Sequence, residues 1–237
     1  MTRIARTCLA LCVLCSASLA EAAELVAHWP MEEVKDGALA DASGKGHDAE
    51  LFGNGAPSIV EGIVGKALDF KPEAEGGFTV AHSETLNLPE GLTVMAWVKP
   101  TDQHTSTEIL CMKGDKSGDP PWPGWRLRFA WTRLLFEFGT ADGRECSAIS
   151  PEWSVPAGFW SHVAATYDGK AIRIYVNAVQ VAEQTVEGSL APQDRPAILA
   201  NYVGRKNAYA FQGSIDDVKV FAGPLSQDEI FKEAANP

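Results

Sequence analysis

The residues with the most specific chemistry are carboxylates on a glycine-rich stretch and aromatic rings on a proline-rich one. Asp41-Ala42-Ser43-Gly44-Lys45-Gly46-His47-Asp48 carries an aspartate at each end and two glycines between. Calcium takes about six to eight oxygens, and a loop that doubles back offers main-chain carbonyls beside carboxylates. The same stretch also reads as an Asx turn closed on Asp41. Asp216-Asp217 is a second acidic pair, late in the chain. Neighbours on a regular strand face opposite sides, so one of the two is expected to point inward and the other outward.

Lys113 to Trp125 is rich in Pro and Gly and holds Trp122 between Pro121 and Pro123. Such composition marks a surface loop. Sugar rings stack their C–H faces on aromatic rings, and a ring on a stiff loop loses little entropy in doing so. Trp122 therefore reads either as a ring offered to a ligand or as a lid folded over the core. With Trp125, Trp131, Arg133 and Trp153 it makes the candidate ligand-binding set. Trp29, Trp97 and Trp160 lie in strand patterns and read as core.

No comparable signal for catalysis emerges. A retaining glycosidase needs two carboxyls about 5 Å apart, and the Glu-x-Asp-x-x-Glu spacing that puts them on one strand face does not occur. The adjacent pairs Glu32-Glu33 and Asp216-Asp217 do not supply it on a regular strand. Gly-x-Ser-x-Gly, His-Glu-x-x-His and phosphate-loop motifs are also missing.

The elements that must position these residues are strands. Leu92 to Val98 alternates with period two, and both of its faces are largely apolar, as in the middle of a sandwich. Leu127 and Phe129, then Leu135 and Phe136, mark strands on either side of Trp131-Thr132-Arg133. Phe159 to Tyr167, Ala171 to Val176 and Val179 to Val186 form a meander with turns at Asp168-Gly169 and Asn177-Ala178. One helix is signalled, by the capping box Ser226-Gln227-Asp228-Glu229, with Ile230 and Phe231 expected to pack on the sandwich. Many short strands separated by turns predict an all-β sandwich with a short C-terminal helix.

The 237-residue chain has a formal net charge of −11. Its start, with Arg3, Arg6, the apolar run Cys8 to Cys15 and small residues up to Ala22, has the form of a secretory signal peptide over residues 1–22. Residues 23–237 then form one domain, expected to be secreted or periplasmic. Losing Arg3, Arg6 and Glu21 makes that domain one unit more acidic than the whole chain. An acidic surface without a basic cluster argues against nucleic acid as a partner, and no later apolar run reaches the length of a membrane span. Cys111 and Cys146 remain beyond the leader; in an oxidising compartment they read as a possible disulfide or as two separate thiols.

Several stretches follow a known pattern in order and spacing. They are Leu25-Val26-Ala27-His28-Trp29, the Asp41 to Asp48 loop, Gly65-Lys66-Ala67-Leu68-Asp69-Phe70, and Leu92 to Pro100. Phe159 to Gly169, Ile174-Tyr175-Val176-Asn177 and Phe211 to Val220 complete it. Together they resemble the laminin-G-like family of the concanavalin A-like lectin/glucanase superfamily. The resemblance implies a jelly-roll of two antiparallel sheets. It also implies a structural Ca2+ ion near the rim, with Asp41 and Asp216 as ligands and His47 and Glu32 as additions. It implies far less about the ligand; taken with the candidate aromatic set, the expected function is non-catalytic binding of a glycan or polysaccharide. An extracellular protein partner, or a diverged glycoside hydrolase or polysaccharide lyase, are the alternatives on the same fold.

Overall fold

In the computed structural model, residues 22–71, 76–101, 107–113, 124–202 and 209–235 are described, with the backbone alone for 111–113. They form two antiparallel sheets packed face to face. The first sheet runs β14 (Val179–Thr185), β13 (Ala171–Val176), β12 (Ser161–Tyr167), β7 (Leu92–Pro100), β16 (Gly213–Ala222), β5 (Lys66–Phe70) and β4 (Ser58–Glu61). The second runs β11 (Glu145–Ile149), β10 (Arg133–Gly139), β9 (Gly124–Ala130), β8 (Thr107–Lys113), β15 (Ala197–Leu199), β6 (Gly77–Val80), β3 (Ala49–Phe52) and β2 (Ala38–Leu39).

Period-two alternation builds the core. From the first sheet Leu92, Val94, Ala96 and Val98 of β7 turn inward. From the second, Trp125, Leu127 and Phe129 of β9 and Leu134, Phe136 and Phe138 of β10 meet them. Trp125 is only 2% exposed. Its expected place in the ligand set is therefore corrected: parity along β9 puts its ring on the same inward face as Leu127 and Phe129. Trp122 lies outside the described residues.

The first sheet is covered on its outer side by a helix, α1 (Gln227–Ala235). Ile230 packs there with Met95, Ala164, Tyr175, Phe221 and Leu225. The capping box forms: Glu229 N–H donates to Ser226 Oγ (3.3 Å), and Ser226 N–H donates back to Glu229 Oε2 (2.8 Å). Phe231, expected beside Ile230, instead faces solvent, because successive helical residues point about 100° apart.

β16 joins the beginning of the chain to its end. One edge pairs with β7 throughout. The other pairs with β5 through Gly213–Ile215 and then with β1 (Glu24–Trp29) through Val218–Ala222. Between the two partners lies a β-bulge, with Asp217 at φ 48°. The extra residue breaks the alternation. Asp216 stands opposite Trp97, on the face away from the core, and Asp217 reaches His28 and Lys219 on that same face. The expected inward–outward split of the pair does not occur.

Cys111 and Cys146 do not pair. β8 and β11 are separated by β9 and β10, which puts the two residues about 14 Å apart, twice the roughly 7 Å a disulfide can span. Cys146 is a buried free thiol.

Candidate functional site

The tip of the β9–β10 hairpin projects from one pole of the sandwich. Ala130 pairs with Arg133, so Trp131 and Thr132 form a two-residue turn. Trp131 takes φ 54°, a value glycine normally supplies at such a turn. The connection from β11 to β12 passes beside it. There Trp153 takes φ 59° and donates its N–H to the Thr132 carbonyl (2.9 Å). Arg133 Nη2 donates to Glu152 Oε1 (2.7 Å), a second tie between the two turns. Trp131 is 64% exposed and Trp153 56%. The structure thus brings Trp131, Arg133 and Trp153 together at one pole and removes Trp125 from them. Glu152 is a member that sequence reading missed; its position one residue before Trp153 was the only signal available.

Positive φ in a residue as bulky as tryptophan is a true outlier, with a cost of about 1–3 kcal/mol for each such residue. Here the strain occurs twice, on adjacent turns, and each time it holds a large ring out in water. The Arg133–Glu152 pair beside the rings is exposed and charge-compensated. Its remaining guanidinium donors and carboxylate acceptors suit hydroxyl groups that both give and take hydrogen bonds.

The acidic loop does different work. Asp41 Oδ1 accepts the N–H groups of His28 (3.0 Å) and Ser43 (2.9 Å). Its Oδ2 accepts Ser43 Oγ–H (2.8 Å) and the His47 N–H (3.0 Å). Burial alone would raise the Asp41 pKa, but these donors outweigh it and hold the carboxyl below its usual value. His47 Nε2 bonds Thr85 Oγ1 (2.8 Å), and its carbonyl accepts the Trp29 indole N–H (2.8 Å).

Asp216 serves a separate turn. Its Oδ2 accepts the N–H groups of Ile63 (2.7 Å) and Val64 (2.9 Å). A side chain at Gly62 would collide with that oxygen, so the absence of a Cβ there is what admits the carboxylate. Burial pushes the Asp216 pKa up to about 6, against the two N–H bonds. Along the same outer row, His162 is driven down to about 4 by burial. Three buried polar atoms in this row, Asp216 Oδ1, Trp97 Nε1 and His162 Nδ1, have no hydrogen-bond partner.

Asp41, His47 and Asp216 are not gathered into one ligand set, and among the described residues no three His, Cys, Asp or Glu side chains converge on a cation position. Both Asp41 oxygens already accept two hydrogen bonds each. Asp41 is thus committed to its own loop, whereas Asp216 meets Glu32 on the Gly62–Lys66 turn, where the Lys66 N–H donates to Glu32 Oε2 (3.1 Å).

A further charged group lies on the outer face of the second sheet. Arg126 bonds Glu137 and, through Nη1, Glu108 Oε1 (3.2 Å), while Arg128 Nη2 stands 3.6 Å from Glu137 Oε2. Glu108, Arg126 and Glu137 are almost completely buried. Such charges survive burial only when paired, and each carboxylate here is held by a guanidinium.

An eight-on-eight antiparallel sandwich of this kind is a jelly-roll. The sequence profile described as the concanavalin A-like lectin/glucanases superfamily, of laminin-G type, matches residues 73–231. The chain belongs to this family. Mouse pappalysin-1 is 26% identical over 160 residues, covering 62% of this chain and 10% of that protein. Human pappalysin-1 is 28% identical over 103 residues, 43% of this chain and 6% of its own length. The chain thus spans a tenth or less of these curated relatives. Among solved structures, the binding domain of Paraclostridial Mosquitocidal Protein 1 superposes with TM-score 0.70 at 16% identity, over 89% of this chain and 52% of that one. Domain 4 of AbnA, a GH43 extracellular arabinanase from Geobacillus stearothermophilus in complex with arabinotriose, gives TM-score 0.65 at 20% identity, over 90% of this chain and all of that domain. Identities this low establish a shared fold.

Proposed function

We propose that the protein is a non-catalytic glycan-binding domain that works outside the cytoplasm, with Trp131 and Trp153 as its stacking surface and Arg133 and Glu152 as its hydroxyl contacts. The observation that carries this reading is the pair of exposed tryptophans, each held at positive φ and joined through Trp153 N–H and the Thr132 carbonyl. Strain of this kind persists only where the surrounding structure holds it, and it clusters at binding sites. The arabinotriose-bound domain of the same fold supports a sugar as the ligand class, and the leader-like residues 1–22 support export. Calcium has no part in the proposal.

The test is binding to a polysaccharide array, followed by affinity measurement on the strongest hit. Trp131→Ala and Trp153→Ala should each weaken that binding about tenfold or more, with melting temperatures within a few degrees of wild type. Array binding that survives both substitutions would place the contact surface elsewhere. A protein partner is the reading favoured if no glycan binds, since exposed aromatics also anchor protein interfaces.

A further inference from the structure

The aromatic pole extends beyond the two tryptophans. The connection that carries Trp153 continues to Gly158, whose N–H donates to the Pro100 carbonyl (2.7 Å) at the end of β7. It therefore crosses from the second sheet to the first, a distance of about 10 Å between stacked sheets. Phe159 follows immediately and is 69% exposed. Trp131 stands over the second sheet, Trp153 on the crossing and Phe159 against the first. Rings this exposed do not line an enclosed pocket.

Charge narrows the ligand further. Arg133 is compensated by Glu152, and the chain carries a net −11. A polyanion would meet repulsion from that net charge, and among the described residues the guanidinium beside these rings, Arg133, is already paired with Glu152.

Building on the glycan reading above, we infer that Trp131, Trp153 and Phe159 form an open strip that binds the interior of an uncharged, linear polysaccharide, several sugar rings at a time. A strip open at both ends accepts a chain running through it and has no wall to select a chain end. Each additional sugar that reaches a further ring adds contact, so affinity rises with chain length until the strip is filled. Salt has little effect, because no net charge is exchanged.

The full-length mature protein should be titrated with arabinose and glucose oligomers of two, three and six units, with linear arabinan and cellulose, and with polygalacturonate. The expected result is affinity that climbs from dimer to hexamer for one neutral series, is unchanged between low and high salt, and is absent for polygalacturonate. Phe159→Ala should lower hexamer affinity about tenfold and leave the dimer's unchanged, while Trp131→Ala should lower both. Equal affinity for dimer and hexamer, a silent Phe159→Ala, or salt-sensitive binding of polygalacturonate would each overturn the strip. If the tryptophan substitutions still abolished binding in those cases, the glycan reading itself would stand. Adsorption to phosphatidylcholine vesicles in place of every polysaccharide, lost with the same substitutions, would overturn both.

Discussion

Asp41 illustrates how one carboxylate can organise a loop. Its oxygens satisfy the N–H groups of His28, Ser43 and His47 together with the Ser43 hydroxyl. Replacing it with alanine leaves buried donors unpaired, at a cost of about 1–3 kcal/mol per stranded group. Asp41→Ala is therefore expected to lower the melting temperature clearly, with or without EDTA. A chelation-induced fall in melting temperature, abolished in Asp41→Ala, would show that these oxygens hold an ion after all. Two other residues set an opposed pair of pH responses. Folded His162 takes its proton near pH 4 and the unfolded side chain near 6.5, so acidification through that window favours unfolding. Folded Asp216 keeps its proton up to about pH 6 and the unfolded side chain only up to 3.8, so the same acidification favours folding. The two effects oppose each other between pH 4 and 6. Compared with wild type, Asp216→Asn should lose more stability between pH 7 and 4.5, and His162→Gln should lose less. Melting curves that run parallel to wild type in both variants would contradict these assignments. The identities of Trp131, Arg133 and Trp153 were legible in the sequence. Their left-handed backbone was not, because it is imposed by the turns and by long-range hydrogen bonds rather than by the residues themselves.

Turns and irregularities, more than strands, create what is distinctive here. The β9–β10 hairpin places Trp131 where glycine would sit without strain. Trp131→Gly should therefore hold or raise stability, by up to about 1–3 kcal/mol if all the strain is released, while removing binding. A structural tryptophan would behave in the opposite way, and a large fall in melting temperature would assign Trp131 to packing. The β16 bulge is a second case. Alternation read from the sequence separates Asp216 from Asp217, but an unseen extra residue in the ladder returns both to the outer face. The meander β12–β13–β14 was readable because its turns carry their own chemistry. Even Asn177-Ala178, which lacks the customary glycine, closes with both residues at positive φ. α1 was readable from its cap, yet not the orientation of Phe231, which depends on where the helix lands on the sheet.

At the scale of the molecule, two sheets, their antiparallel character and the lone helix followed from periodicity and turn spacing, and the family from the order of short motifs. Which strands neighbour one another did not follow. That ignorance is why Cys111 and Cys146 read as a possible pair and Asp41 and Asp216 as one ion site. The closure that matters most is also the most distant in sequence: β1 and β16 lie at opposite ends of the described chain yet share a ladder. A polypeptide emerging from the ribosome has no edge on which to seat its first strand until almost the whole of it has been made. Loop-closure entropy must be overcome before that contact forms, which makes folding slow. The first sheet consequently cannot close until β16 has been made, so β1, the earliest strand of the described chain, waits longest for its partner.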